Sequence, residues 1–200
     1  MNHDYFQHKA SSYEQNQSRV ANVENIAHSI LSQITFEQNM HIMDFGSGTG
    51  LLLERIAPYV NKITAVDISH SMNQQLAQKK DDLACDLDML AIDLSITDLE
   101  DTFDGIISSM TMHHIEDTKA MFAKFHAMLN ENGFIAIADL DLEDGTFHKE
   151  DTGVFHFGFG RDRLLEIARE VGFKNVSICD ASTVHKPQGS YPVFLLTAFR

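Results

Sequence analysis

Two kinds of apolar spacing follow one another along the chain. In residues 19–36 the apolar side chains recur every three or four positions, which predicts an amphipathic helix. Beyond it, short apolar runs alternate with helix-like stretches that begin near Thr49, His70 and Thr118. The runs predicted as strands are 41–45, 62–68, 89–94, 103–110 and 133–140. This alternation predicts a parallel sheet that is covered by helices on both faces.

The C-terminal part of the chain follows a different pattern. A helix is predicted over 161–171 and ends at Gly172. Two strand-like runs, 175–185 and 191–199, come after it and are separated by the turn-rich stretch KPQGS, which predicts a β-hairpin. The sequence therefore predicts an α/β fold of the doubly wound, Rossmann-like kind, in which an antiparallel strand at the end of the chain joins a mostly parallel sheet.

Composition narrows the class of protein. With 200 residues, 44% of them hydrophobic and 22% charged, the chain is long enough for one sizeable core. The formal net charge of −14 is unfavourable for binding nucleic-acid phosphates or anionic lipid, so a small-molecule partner is expected. No run is long enough to span a bilayer, the N-terminus has no apolar signal segment, and Cys85 and Cys179 form no metal or disulfide pattern. These features predict a cytoplasmic protein, either a monomer or a homodimer.

The stretch MDFGSGTG, residues 43–50, places three glycines directly after the first predicted strand. Ligands of doubly wound sheets bind at the carboxyl ends of the strands, and glycine allows a ligand to approach the backbone closely. The dinucleotide fingerprint is GxGxxG, whereas here Gly50 comes one residue early and Leu51 stands at the expected position. Asp44, in the turn region, would repel a pyrophosphate and attract an ammonium group. A glycine-rich turn that binds nothing is the alternative.

Two further acidic residues close the next predicted strands. Asp67 in AVDIS stands where a carboxylate accepts from the hydroxyls of a ribose, a feature that NAD-binding proteins share with other adenosine-binding proteins. Asp93 in AIDLS stands where its carboxylate would accept from an adenine amino group. Each residue alone could be a solvated loop residue or a helix N-cap. Their coincidence with the glycine loop favours a ligand site.

Five segments, taken together, resemble a known family: MDFGSGTG (43–50), AVDIS (65–69), AIDLS (91–95), FDGIISSMTMHHIED (103–117) and MLNENGFIAIADL (128–140). In this order and spacing they resemble class I S-adenosylmethionine-dependent methyltransferases, of the small-molecule branch that is similar to quinone-biosynthesis methyltransferases. The resemblance covers nearly the whole chain. It implies S-adenosylmethionine as cofactor, S-adenosylhomocysteine as product, and a seven-stranded sheet whose last strand is inserted antiparallel.

The resemblance also implies roles for individual residues. Asp44 and the glycine loop would hold the methionine part of the cofactor, and Asp67 would hold the ribose. Asp93 with Leu94 would hold the adenine, and Ser109 would approach the cofactor through its backbone. The residues that the resemblance places at the cofactor are Tyr13, Asp44, Gly46, Ser47, Gly48, Gly50, Asp67, Ile68, Met72, Asp93, Leu94 and Ser109.

The N-terminal segment 3–16, HDYFQHKASSYEQN, is similar to the segment that folds over the cofactor in this branch, with Tyr13 at the position of a recurrent tyrosine. A loose polar tail is the alternative. The chain is thus interpreted as one methyltransferase domain over 1–200, made of an N-terminal helical cap, 1–36, and a Rossmann-like core, 37–200.

Methyl transfer from a sulfonium is an in-line displacement, so a protein contributes alignment, exclusion of water and, for a protonated acceptor, a base. His113 and His114 follow the fourth predicted strand, where an imidazole could take a proton from a hydroxyl, thiol or amine. Pocket shaping and helix capping are the alternatives. Both histidines are therefore candidate catalytic residues, with His113 as the candidate for proton transfer. The methylated atom, whether oxygen, nitrogen, sulfur or carbon, stays open.

Residues 141–160 follow the fifth predicted strand and could form a lid. Phe155, Phe157 and Phe159 alternate about His156, which suggests an acceptor pocket, with core packing as an equal alternative. A metal bound by His148 and His156 is disfavoured because their spacing matches no metal motif. Nearby acidic residues could select a cationic acceptor, act as a base or be solvated. These acidic residues are Asp139, Asp141, Glu143 and Asp144.

The sequence therefore predicts a methyltransferase that uses S-adenosylmethionine and acts on a small molecule. One rival is a non-catalytic module that binds S-adenosylmethionine as a sensor or a structural ligand, since a fold and a cofactor site do not establish turnover. The other is a nicotinamide-dependent oxidoreductase, which is disfavoured by the early third glycine and by Asp44.

Overall fold

Seven strands of the computed structural model, which describes residues 4–148, 150 and 152–200, pair into one sheet. The strands are β1 His41–Phe45, β2 Lys62–Val66, β3 Asp86–Leu90, β4 Phe103–Ser109, β5 Leu129–Leu140, β6 Lys174–Lys186 and β7 Gly189–Phe199. The α-helices are α1 Gln17–Gln33, α2 Leu51–Ile56, α3 His70–Ala77, α4 Thr118–Met128 and α5 Arg161–Val171. Short 3-10 helices lie at Ala10–Gln15, Ala57–Tyr59, Lys80–Asp82 and Met112–His114.

The strand order is β3-β2-β1-β4-β5-β7-β6. Strands β1 to β5 pair in parallel, whereas β7 lies between β5 and β6 and is antiparallel to both. This confirms the predicted Rossmann-like fold, including the C-terminal hairpin and the antiparallel last strand. Because the winding direction reverses between β1 and β4, a crevice opens at their carboxyl ends.

Side chains of the central strands alternate between two apolar clusters, one on each face of the sheet. In β1, Ile42 joins the cluster that contains α1 and α2, while Met43 and Phe45 join the cluster that contains α4 and α5. Because both faces are covered, these strands read as continuous apolar runs. Each large apolar side chain that is fully buried contributes about 1.5–3 kcal/mol through its removal from water.

The third strand differs most from the prediction. It runs Asp86–Leu90, whereas the sequence predicts 89–94. The prediction failed because β3 is an edge strand, in which polar side chains alternate with apolar ones. Leu87 is buried, whereas Asp88 is exposed. An apolar run is therefore the wrong signal for this strand. Asp93 lies in the loop beyond the strand and does not close it.

The first helix also differs in its bounds. It spans Gln17–Gln33 rather than 19–36, because the side chain of Asn16 caps its start by accepting a backbone N–H of the first turn at 3.1 Å. Ile34 follows in an extended conformation and ends the helix. Phe36 thus reaches the core from extended chain.

The helices are short. None of those within the described ranges combines the length and the apolar character that crossing a bilayer requires.

Candidate active site

A cavity of about 730 Å³ opens at the carboxyl ends of the parallel strands. Its walls come from the residues after β1, β2, β3 and β4, from the N-terminal segment, and from the chain around Gly153. This volume lies within the range of about 300–1,000 Å³ that is typical of small-molecule sites. The cavity sits where the winding of the sheet reverses, which is where doubly wound folds bind ligands. It is therefore the candidate active site.

The loop between β1 and α2 supplies one wall. Gly46 and Gly48 have φ angles of 72° and 56°, which favour glycine. A Cβ atom on Gly46 would lie 2.2 Å from the side chain of Thr111, so packing requires glycine there. A Cβ atom on Gly48 would meet no described atom within 4 Å, and Gly48 lines the cavity. The backbone at Gly48 is therefore open to a ligand.

Asp67, directly after β2, holds this loop in place. Its Oδ2 accepts from the N–H of Gly48 and its Oδ1 from the N–H of Ser69, both at 2.8 Å. Burial raises the pKa of Asp67, although these two N–H groups act in the opposite direction. A carboxylate offers about four lone-pair sites, so further sites stay available to hydroxyl groups in the cavity. Asp67 thus combines fixing the loop with the capacity to bind a diol.

Asp44 lies inside β1 and not in the turn after it, which corrects the sequence interpretation. Its side chain is 1% exposed, and Oδ2 has no hydrogen-bond partner among the described residues. Burial, reinforced by the negative charge of Asp67, raises the pKa of Asp44 to about 8. At pH 7 the protein therefore holds this carboxyl mostly protonated.

The loop after β3 forms another wall. Oδ1 of Asp93 accepts from the backbone N–H of Ser95 at 2.9 Å and from its hydroxyl at 2.5 Å, so the side chain fixes its own turn. Leu94 is buried and Ile96 is exposed, and both line the cavity. The wall thus presents a carboxylate beside apolar surface.

Most residues of the predicted cofactor set line this cavity. Those that do are Tyr13, Gly46, Gly48, Asp67, Ile68, Met72, Asp93, Leu94 and Ser109. Asp44, Ser47 and Gly50 are outside the lining. Asp44 and Ser47 are buried, and Gly50 faces the side chain of Leu76.

The N-terminal segment contributes a wall that is anchored on α3. The carboxylate of Asp4 accepts from the hydroxyl of Ser69 at 2.9 Å, and from the hydroxyl and N–H of Ser71 at 2.8 and 3.1 Å. Sequence analysis missed Asp4, because these partners lie 65 and 67 positions away and no local pattern marks the pairing. Residues 1–3, which include the start of the predicted segment 3–16, lie outside the described residues.

Aromatic side chains of the same segment line the cavity, namely Tyr5, Phe6 and Tyr13. The guanidinium of Arg19 lies 3.8 Å from the ring centre of Tyr13, and its Nη1 donates to the Tyr13 carbonyl at 2.6 Å. Burial raises the pKa of Tyr13, so its hydroxyl stays neutral. The segment is therefore docked in the described structure.

His113 lies behind the cavity wall. Its Nδ1 is 2.7 Å from Oδ1 of Asp139, and its backbone N–H donates to Oδ2 of the same residue at 3.1 Å. Asp139, near the end of β5, is fully buried. Nε2 of His113 is buried and has no partner within the part of the chain that the structure describes. Asp139 thus fixes both the backbone and the ring of His113.

His114 lines the cavity itself. Its Nδ1 lies 3.2 Å from the carbonyl oxygen of Gly153, so in the neutral ring Nδ1 carries the proton and Nε2 the lone pair. Burial and the neighbouring His113 lower the pKa of His114 to about 4. The adjacent histidines differ in surroundings because they belong to a tight 3-10 turn. At neutral pH the cavity therefore contains a neutral imidazole.

His148 completes a cluster of three histidines, whose rings are tilted or edge-on to one another. Its ring centre lies 5.2 Å from that of His113 and 6.1 Å from that of His114. Burial, together with His113 and His114, lowers the pKa of His148 to about 3. Sequence analysis considered His148 only as a metal ligand. Over the described ranges, no group of three or more His, Cys, Asp or Glu side chains is arranged to hold a metal ion.

The three phenylalanines of the segment 141–160 lie in different surroundings. Phe155 lines the cavity and is 58% exposed. Phe157 is 54% exposed and packs near Gly145, whereas Phe159 is 8% exposed and belongs to the core. The positions thus fit the predicted acceptor pocket at Phe155 and core packing at Phe159. Residues 149 and 151 of the segment lie outside the described residues.

The acidic residues of this segment have structural partners. Asp141 binds Arg161 through two hydrogen bonds of 2.7 and 2.6 Å. Glu143 and Asp144 accept from the N–H of Thr146 at 2.8 and 3.3 Å. They are outside the described lining of the cavity. Their hydrogen bonds therefore stabilise the loop.

The chain belongs to a methyltransferase family. The family model described as "Methyltransferase domain" matches residues 15–178. An uncharacterized methyltransferase of Schizosaccharomyces pombe is 30% identical over 176 residues, which cover 77% of this chain and 58% of that protein. The chain thus spans little more than half the length of this curated relative.

Solved structures share the fold. A chain of the complex between the Haloferax volcanii Trm112 methyltransferase activator and a methyltransferase has a TM-score of 0.79 at 16% identity, with 100% of this chain and 99% of that chain covered. Magnesium protoporphyrin IX methyltransferase of Synechocystis PCC 6803, with bound S-adenosylmethionine, has a TM-score of 0.71 at 14% identity, with 98% and 94% covered. At these identities the likeness is one of fold.

Proposed function

We propose that the protein is an S-adenosylmethionine-dependent methyltransferase that acts on a small-molecule acceptor. The observation that carries this proposal is the open backbone of Gly48, held by Asp67 at the cavity, in a chain that belongs to a methyltransferase family. The Synechocystis neighbour, which has the same fold, binds S-adenosylmethionine.

The residues present fit this cofactor. Gly48 leaves room at the backbone, and Asp67 retains acceptor capacity for the two ribose hydroxyls. Apolar side chains of Met72 and Leu94 line the same cavity and suit the faces of an adenine ring. Asp44 keeps a buried carboxyl oxygen without a partner in the described structure, and such a group suits a nearby ammonium.

When bound, the cofactor would supply a methyl group on a positively charged sulfur. The chain's own residues would align the acceptor and exclude water, to which the docked N-terminal segment and Phe155 contribute. Nε2 of His114 would accept a proton from the acceptor, because the neutral ring directs its lone pair away from the bond to Gly153. His113 would be a positioning residue for His114, because Asp139 holds the His113 ring against the His114 ring.

The acceptor is proposed to be a small molecule because the cavity is enclosed by loops. Its lining gives no preference among oxygen, nitrogen, sulfur and carbon as the methylated atom. Likewise, membership of the branch that acts in quinone biosynthesis stays a prediction from the sequence resemblance, as do the single-domain organisation and a cytoplasmic location.

The direct test is calorimetric titration of the purified protein with S-adenosylmethionine, S-adenosylhomocysteine and NAD in parallel. We expect the two adenosyl compounds to bind and NAD to give no signal. Binding of NAD instead would favour the oxidoreductase rival. Absence of binding by either adenosyl compound would refute the proposed cofactor.

Two substitutions separate binding from turnover. Asp67→Ala removes the acceptor of the loop and of the ribose, so cofactor affinity is expected to fall at least about a hundredfold, or roughly 3 kcal/mol. The matched control Asp81→Ala removes an exposed carboxylate and should leave affinity unchanged.

His114→Ala should keep cofactor affinity and slow methyl transfer by about 10²-fold at most, the lower end of the usual contribution of a general base, because a pKa of about 4 makes the imidazole a weak base at neutral pH. Turnover is measured with labelled S-adenosylmethionine against a panel of small phenols, thiols, amines and quinone precursors. A protein that binds the cofactor but methylates nothing in such a panel, with or without His114, would favour the non-catalytic binding module.

A further inference from the structure

We infer that Asp44 gives up a proton when the positively charged cofactor binds, so that cofactor binding and proton release form one coupled event. This inference rests on the proposed function, because the ammonium and sulfonium groups of S-adenosylmethionine supply the positive charge. It concerns a group that the proposed reaction itself does not use.

The surroundings of Asp44 favour its neutral form. Its partners on the neighbouring strands are Ala65 of β2 and Ile107 of β4, which carry no charge. The side chain is 1% exposed, and Oδ2 finds no hydrogen bond within the described residues. Burying an ionised carboxylate in this way is costly, so the group keeps its proton instead.

The charged group that acts on Asp44 is Asp67, whose carboxylate adds repulsion. Other ionisable residues lie on the elements packed against the same face of β1. On α2, Glu54 pairs with Lys79, and Arg55 donates to a backbone carbonyl. On the N-terminal side, Arg19 of α1 lies over Tyr13, a neutral phenol, and His70 begins α3 as an exposed residue.

A bound cation reverses this balance. Charge interactions decay slowly in a poorly polarisable interior, so a cation at the glycine loop acts on Asp44 without touching it. Burial and Asp67 raise the pKa of Asp44 to about 8 in the protein alone, and an added positive charge lowers it. At pH 7 the carboxyl is therefore mostly protonated before the cofactor binds and ionised afterwards, so binding releases a proton.

Asp67 is the other candidate source of a proton, because burial raises its pKa too. The two residues can be separated by the choice of ligand. 5′-Methylthioadenosine keeps the ribose, which Asp67 is proposed to bind, but lacks the ammonium and the sulfonium charge. Release that comes from Asp67 would therefore accompany both ligands, whereas release from Asp44 would accompany S-adenosylmethionine alone.

The experiment is calorimetric titration of the wild-type protein at pH 7 in two buffers that differ in ionisation enthalpy. The number of protons released is the slope of the observed heat against that enthalpy. We expect close to one proton for S-adenosylmethionine and none for 5′-methylthioadenosine. The dissociation constant of S-adenosylmethionine should fall by up to about tenfold per pH unit between pH 6 and pH 8, and level off above pH 8.

Asp44→Asn supplies the matched variant, because the amide resembles the protonated acid and cannot ionise. In Asp44→Asn the proton release and the pH dependence of affinity should both disappear. The variant should bind S-adenosylmethionine more weakly than the wild type, and this difference should shrink as the pH falls. Asp81→Asn, at an exposed carboxylate, should behave like the wild type.

A second measurement needs no variant. Infrared difference spectra of the wild-type protein should lose the band of a buried protonated carboxyl group when S-adenosylmethionine is added. This readout keeps the inference testable even if Asp44→Asn does not fold.

Each other outcome overturns the inference. Binding of S-adenosylmethionine without proton release, equal release with both ligands, or release that persists in Asp44→Asn would each remove Asp44 as the source while leaving the proposed function intact. Failure of S-adenosylmethionine to bind would overturn the proposed function and this inference together.

Discussion

The surroundings of the cavity have two halves, and the pKa values of their buried ionisable groups are shifted in opposite directions. In the glycine-loop half, which comprises residues 46–50 with Asp44 and Asp67, the pKa of both carboxyl groups is raised. In the histidine half, which comprises His113, His114, His148 and Asp139, the pKa of His114 and that of His148 are lowered. Burial is the largest cause in each case. Because burial disfavours either sign of charge, Asp44 and the imidazoles of His114 and His148 are all mostly neutral at pH 7.

The halves differ also in how their contacts span the chain. Asp67 reaches Gly48 across 19 positions and Ser69 across two. In the histidine half, His113 reaches Asp139 across 26 positions and His114 reaches Gly153 across 39. The contacts of Asp67 thus join a shorter stretch of chain than the contacts of the histidine half, which bring together more distant segments.

The largest effect is expected from Gly46→Ala. The new side chain would adopt an unfavourable positive φ and overlap with Thr111, so the unfolding free energy should fall by about 2–5 kcal/mol. Gly48→Ala is the matched control, because its φ is also positive but its Cβ meets open space. It should cost only about 1–2 kcal/mol.

Urea unfolding of the two glycine variants, paired with cofactor titration, checks this comparison. Gly48→Ala should lose cofactor affinity out of proportion to its stability, because its methyl group enters the cavity. Equal loss of stability in both variants would show that the overlap with Thr111 does not limit the loop.

A smaller effect is expected in the histidine half. His113→Ala removes the hydrogen bond to the buried carboxylate of Asp139, so the unfolding free energy should fall by about 2–3 kcal/mol. His114→Ala removes a bond to a carbonyl at the cavity wall and should cost about 1 kcal/mol. Denaturant unfolding measures both, and cofactor affinity should persist in both.

A larger loss of stability in His114→Ala than in His113→Ala would contradict the assignment of His113 as the buried member. Loss of cofactor affinity in both variants would place the histidine pair at the cofactor rather than at the acceptor.

Local sequence was sufficient for much of the glycine-loop half. The alternation of strands and helices, the hairpin and the glycine loop follow from apolar runs and from glycine spacing, because each is set by residues close together in the chain. The seven-stranded sheet with its inserted antiparallel strand was implied by the family resemblance, because strand pairing joins distant segments. The strand β3 was misplaced because one of its faces is exposed, and Asp93 was displaced with it. The bounds of β1 were predicted correctly as 41–45, but Asp44 was interpreted as part of the turn region because the glycine loop follows it so closely.

The histidine half was only partly accessible to sequence reasoning. The pair was found from its position after β4, but which member faces the cavity is decided by Asp139 on another strand. His148 joins the histidine cluster from the segment 141–160, and no periodic pattern in the sequence marks this contact. Long-range pairing of this kind leaves no pattern in neighbouring residues, so only the folded chain reveals it.

The most gradual effect, and the sharpest test of the comparison, is the pH dependence of stability without cofactor. Asp44 has a raised pKa, so its contribution is present at low pH and is lost as the pH rises from about 4 to about 8. His148 has a lowered pKa, so its contribution is present above pH 6.5 and is lost as the pH falls toward about 3. Between pH 6.5 and pH 8 the unfolding free energy should therefore decline, by at most about 1.4 kcal/mol per pH unit, through Asp44.

Asp44→Asn should flatten the profile between pH 6.5 and pH 8 and make its rise below pH 6.5 steeper, because Asp44 titrates over both ranges. His148→Gln should change only the part below pH 6.5, where protonation of His148 in the unfolded chain opposes folding. Chemical unfolding at half-unit pH steps resolves the two windows. If Asp44→Asn left the decline between pH 6.5 and pH 8 in place, or if His148→Gln changed the profile above pH 6.5, the opposite signs assigned to the two halves would be wrong. If neither variant changed the profile, Asp44 and His148 would each have the same pKa in the folded and the unfolded chain. The shifts that hold both side chains neutral at pH 7 would then be excluded.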